Sequence, residues 1–95
     1  MIELSVMQTL LVEEFEATVD GQTYHVDEDK RLTVVLVHTN GVMMIPKVRA
    51  LDFRDDVVIV TTDEERTYLP PATIFALRGA NPEKATDENR PGFRR

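Results

Sequence analysis

Hydrophobic and polar positions alternate along this chain in short blocks, and dipeptides that favour tight turns separate the blocks. "FEATVDGQTYHV", Phe15 to Val26, alternates on both sides of Asp20-Gly21. Asp-Gly is a preferred pair for the two-residue type I′ hairpin, in which both central positions need positive φ. Counting outward from that turn pairs Val19 with Gln22, Ala17 with Tyr24 and Phe15 with Val26. Phe15, Ala17, Val19, Tyr24 and Val26 then share an apolar face, and Glu14, Glu16, Thr18, Thr23, His25 and Asp27 form a polar one, as a half-buried antiparallel pair requires. In this register Glu16 lies directly across from His25.

The next block, "LTVVLVHTNGVMMIP", places Asn40-Gly41 between a strand ending at His38 or Thr39 and one opening at Val42. The same counting pairs Val37 with Met44 and Leu36 with Ile45. Leu32, Val34 and Leu36 lie on one side and Val35 and Val37 on the other, so this strand is apolar on both faces and is predicted to be central or part of a closed barrel. Of the adjacent Met43 and Met44, strand alternation predicts one in the core and one half-exposed. Beyond Phe53, "RDD" is a turn, "VVIVTT" a short β-branched strand, "DEE" a second turn and "RTYLP" a further strand. "ATIFALR" is expected to be the last strand, its β-branched and aromatic residues outweighing the helix preference of Ala and Leu.

Two segments interrupt apolar runs with proline. "MIPKVRALDF" and "YLPPATIFALRG" each hold an apolar pair, a proline, a β-branched residue and Ala-Leu before polar turn residues, the second with one extra residue at Pro71 or Ala72. Proline donates no ladder hydrogen bond, which confines it to a strand end, an edge or a bulge. Each proline is therefore expected to mark a corner, with Pro46 at a strand end, bend or bulge.

The two ends are less determined. In "ELSVMQTLLVEEF", a helix with Leu4, Met7, Leu11 and Phe15 on one face and a strand with Ile2, Leu4, Val6 and a bulge near Met7 both fit. The place of Phe15 in the first hairpin tips the balance to the strand. From Gly79 the composition turns polar: Asn81-Pro82-Glu83 has the form of a helix start, and a disordered C-terminal tail over 79–95 is expected.

The pattern thus predicts a mainly β fold: a single domain over 1–78 forming a small antiparallel barrel or a two-layer sheet of five to seven short strands. Over Glu13 to Arg78 this resembles the SH3-like and Sm-like small barrels in broad architecture. The aromatic ligand-groove cluster of SH3 domains and the glycine-and-asparagine signature of Sm proteins are absent, so neither function carries over.

Composition narrows the chemistry. The 95-residue chain suits one domain and contains no cysteine, which removes disulfides, thiolate catalysis and Cys-based zinc sites. No apolar run approaches the roughly 20 residues of a membrane-spanning helix, and the N-terminal residues lack a secretory pattern, so no membrane association and a cytoplasmic location are expected. Net charge is -6, and residues 1–30 hold eight acids (Glu3, Glu13, Glu14, Glu16, Asp20, Asp27, Glu28, Asp29) against Lys30 alone. Such acidity argues against nucleic acid as the main partner, although Lys47, Arg49, Arg54 and Arg66 can gather on one face.

Catalytic material is scarce. Ser5 is the lone serine, and Gly21, Gly41, Gly79 and Gly92 are too scattered for a phosphate-cradling loop. The cluster "HVDED", His25 to Asp29, lacks the spacing and glycine of a calcium loop. The carboxylate pairs Asp55-Asp56 and Glu64-Glu65 fall in turns. No catalytic, metal or cofactor site is predicted, and the chain is not expected to be an enzyme. The expected function is a non-catalytic interaction or accessory module with a protein partner, or with itself through edge strands. Glu14, Glu16, His25, Asp27, Arg49, Arg54 and Arg66 are the candidate contact residues. The alternatives are a nucleic-acid-binding small barrel and an acidic mimic of nucleic acid that occupies a basic protein.

Overall fold

The computed structural model describes residues 3–80. One helix, α1 (Leu4–Glu13), precedes eight strands: β1 (Thr18–Asp20), β2 (Thr23–His25), β3 (Thr33–His38), β4 (Gly41–Ile45), β5 (Ala50–Phe53), β6 (Val58–Thr61), β7 (Arg66–Leu69) and β8 (Ile74–Arg78). They form two antiparallel sheets, a five-stranded one in the order β1-β2-β5-β6-β7 and a three-stranded one in the order β4-β3-β8. The mainly β prediction holds in its two-layer form, with one strand more than the upper limit expected.

The N-terminal segment is a helix and not the expected strand. Met7 and Leu11 are fully buried one turn apart, and Phe15 is buried just beyond them. Phe15 is therefore not in a hairpin, which removes the ground for preferring a strand. The chain leaves α1 through Glu16, whose left-handed backbone (φ 54°) turns it towards β1, with the Ala17 N–H donating to the Leu11 carbonyl at 2.9 Å.

Both hairpins form, each displaced by one residue from its expected turn. Asp20 pairs with Thr23 and Val19 with Tyr24, so the loop is Gly21-Gln22. A type II′ turn takes glycine at its first central position, and Gly21 (φ 65°) meets that need without forcing Asp20 to positive φ, as the expected type I′ turn requires. In the second hairpin His38 pairs with Gly41 and Val35 with Met44, so the loop is Thr39-Asn40. Gly41 opens β4 at φ 134°, and the Asn40 N–H donates to His38 Nδ1 at 3.2 Å. These shifts change each partner by two positions, so the side chains within the paired strands keep their predicted faces. Met43 and Met44 depart from prediction: both are about half-exposed, at 53% and 50%, because β4 is an edge strand.

The prolines stand where the chain passes between sheets. Pro46 follows the last residue of β4, and the connector Pro46–Arg49 carries the chain to β5 in the other sheet. Pro70 ends β7, and a 3-10 turn (Pro71–Thr73) returns the chain to β8. Both are corners, as expected of a residue that cannot donate to the ladder.

Between the sheets lies one core. Val34, Leu36 and Ile74 from the smaller sheet meet Leu51, Phe53, Val58, Val60 and Leu69 from the larger, and Met7 and Leu11 of α1 join the same cluster. Tyr24 packs edge-on against Phe53, with ring centroids 5.2 Å apart. Gly79 lies so close to Phe15 that an added Cβ would fall 2.5 Å from Phe15 Cε1, and the Ala80 N–H donates to the Lys30 carbonyl at 3.1 Å. Most of the expected polar tail, from Asn81 onward, lies outside the described residues.

Candidate functional site

The predicted contact residues are divided among three places. Glu14 caps the end of α1, and Glu16 meets Lys30 at 3.1 Å. The expected Glu16–His25 pair does not form, because the displaced turn puts Thr18 opposite His25. His25 is exposed, in the cross-sheet row that runs through Ala50 and Thr61 to Arg66.

Arg54 and Arg66 belong to the outer face of the five-stranded sheet. Thr23, Asp52, Ile59 and Tyr68 form one row there, directed away from the core because Leu51 and Val60 in the next row are buried in it. Arg54 donates from Nη2 and Nε to the same Asp52 oxygen at 2.8 and 3.1 Å. This hydrogen bond outweighs the opposing effect of burial and holds the Asp52 carboxyl below its ordinary pKa, while Asp52 raises that of Arg54. The Arg66 guanidinium lies 5.7 Å from the Tyr68 ring centroid.

Arg49 and Asp27 belong to a third place, the junction of the sheets. The Arg49 N–H donates to the Thr61 carbonyl, and its own carbonyl accepts from Val26. Arg49 Nη2 lies 3.0 Å from Asp63 and 3.3 Å from Glu28. This triad forms part of the lining of a cleft of about 420 Å³, together with Arg31, Thr33 and Lys47. Asp27 borders an adjoining shallow groove together with Glu28, Asp29, Arg31 and Arg49. No group of three or more His, Asp or Glu side chains is arranged to hold a metal ion among the described residues.

No protein-family model, curated protein or solved structure matches this chain.

The fold also creates a surface that the charged residues do not reveal. On the outer side of the three-stranded sheet, Met44, Val35 and Ala76 form one row and Val42 and Val37 the next. Only Val35 is buried there; Val37, Val42, Met44 and the neighbouring Phe75 are exposed. The signal in the sequence was β3 itself, apolar at Val35 and Val37 as well as on its core side. Among the described residues no helix is long and apolar enough to cross a membrane.

Proposed function

We propose that this protein is a non-catalytic interaction module that pairs with a second copy of itself along β4. The observation that carries this is the character of that edge. β1 ends in Asp20, β7 begins with Arg66 and β8 ends in Arg78, whereas β4 (Gly-Val-Met-Met-Ile) contains no charge or proline over five residues. Charged residues and proline are the usual protection of an unpaired edge. Two antiparallel β4 strands related by a two-fold axis extend the sheet to β8-β3-β4-β4-β3-β8 and make the outer apolar rows continuous. A second copy suits this edge because the acids of residues 3–30 lie outside the sheet that makes the contact, so two chains of net charge -6 meet where neither carries an acid.

The stitching of the sheets supports a partly open barrel of the SH3-like or Sm-like kind. Val26 N–H to the Arg49 carbonyl (2.7 Å), Arg49 N–H to Thr61 (2.8 Å) and Val48 N–H to Leu32 (2.9 Å) connect the segments at one corner. Light scattering on the full chain over a concentration series tests the pairing. The parent is expected to be a dimer. The Val42→Lys/Met44→Lys variant is expected to be a monomer of nearly unchanged stability, since exposed substitutions usually shift stability by no more than about 0.5 kcal/mol. A parent that stays monomeric at high concentration rules the pairing out.

One observation favours nucleic acid as a second reading: Tyr68 is exposed beside Arg66 on the opposite sheet. Absence of any gel shift with mixed nucleic acids at low salt eliminates it.

A further inference from the structure

The cleft at the sheet junction is lined by three cations, Arg31, Lys47 and Arg49, and by two carboxylates, Glu28 and Asp63. Arg49 is engaged by Asp63 and Glu28, whereas Arg31 and Lys47 form no ion pair among the described residues. Both come from connectors: Arg31 between β2 and β3, Lys47 between β4 and β5. Both also hold left-handed backbone, at φ 55° and 59°. That conformation is disfavoured for a residue with a Cβ, and glycine would serve either turn better. Strained positions of this kind collect at ligand sites. Among the described residues, two of the three non-glycine residues with positive φ line one cleft, and both are cationic.

We propose that this cleft binds the oxyanion of a small organic molecule, a phosphate or carboxylate, with Arg31 and Lys47 as charged contacts and Thr33 as a neutral donor. Arginine supplies a planar fork of donors and lysine a mobile point charge, a combination suited to an oxyanion held from two sides. Leu32, Pro46 and Val48 add an apolar lining, which fits a ligand with an organic body beyond its charged group. The Arg49 triad fixes one wall, so the two free cations do not have to hold the cleft together as well as bind.

The test is a titration of the full chain with inorganic phosphate, and in parallel with acetate, at constant ionic strength, followed by amide chemical shifts. Saturable shifts at Arg31, Thr33, Lys47 and Val48 are expected. A response to phosphate alone assigns a phosphate ligand, and a matching response to acetate assigns a carboxylate. Arg31→Gly and Lys47→Gly keep the turn conformation, so each should melt no lower than the parent while binding at least about tenfold more weakly, the effect of losing one charge-assisted contact. Shifts that do not saturate, or an affinity unchanged in both glycine variants, overturn the proposal.

Discussion

The two sheets share one core and differ on their outer faces. The larger sheet covers its outer surface with its own chemistry: Asp52 accepts from Arg54, and Arg66 lies against Tyr68. The smaller sheet leaves Val37, Val42, Met44 and Phe75 in contact with solvent. A strand that is apolar on both faces is commonly taken to be covered on both by its own domain. β3 departs from that expectation: its core face is buried, and its outer face is open at Val37. The contrast sets polar pairing on one sheet against exposed apolar side chains on the other, where Arg78 Nη1 reaches Met44 Sδ at 3.5 Å.

The comparison breaks most severely if the sheets do not share a core. Leu51 belongs to the five-stranded sheet and Val34 to the three-stranded one, and both are fully buried in a single cluster. Leu51→Ala is expected to cost about 2–5 kcal/mol, the usual range for a buried leucine truncated to alanine. Urea unfolding of that variant should remain a single transition, with the fluorescence of Tyr24 and Tyr68 on one sheet and the amide signals of β3 on the other changing together. Two separate midpoints would show the sheets to be independent units.

A smaller effect sharpens the account of the larger sheet. The folded Asp52 carboxyl has a lowered pKa, so between that value and the ordinary 3.8 the unfolded chain binds more protons than the folded one. The stability Asp52 contributes is therefore present above about pH 4 and lost as pH falls through the folded pKa. Asp52→Asn should lower the melting temperature by roughly a few degrees at pH 7, as expected for one partly exposed ion pair in a small domain. The gap between variant and parent should close as pH drops well below 3.8. A gap that persists unchanged to low pH assigns the loss to packing and not to the charge on Asp52.

Where the sequence was legible, local rules and tertiary context agreed. Pro46 and Pro70 had to sit at strand ends, and the alternation around Gly21 and Gly41 assigned side chains to faces even though both turns moved by one residue. The face survived because strand periodicity is two, while the exact turn depended on which residue could take positive φ. α1 was misjudged because Leu4–Glu13 carries its decisive signal in only two buried positions, Met7 and Leu11, and Phe15 had been assigned to a strand that begins only at Thr18. Of the candidate contacts, Arg49 was identifiable by charge, but its neighbours in the cleft, Arg31 and Lys47, come from separate connectors that only the crossing between sheets brings together. The apolar outer face is legible in the two-sided pattern of β3, but that pattern by itself reads as a central strand or part of a closed barrel.

The smallest expected effect bears on how far the larger sheet satisfies its own outer surface. Arg66 and Tyr68 are two residues apart on the edge strand β7, hence on the same face, with the guanidinium 5.7 Å from the ring centroid. At an exposed site such a stack contributes about 0.5–1 kcal/mol. Neither residue alone measures it, because removing the tyrosine also uncovers part of the sheet. A double-mutant cycle with Arg66→Gln and Tyr68→Leu isolates the pair, and a coupling of roughly 0.5 kcal/mol is expected from urea unfolding. The coupling should fall little with added salt if the arginine acts through the ring, and strongly if it acts through distant carboxylates. A coupling of zero frees both side chains: the larger sheet then presents an exposed tyrosine beside an uncommitted arginine, and the nucleic-acid reading gains what the contrast between the sheets loses.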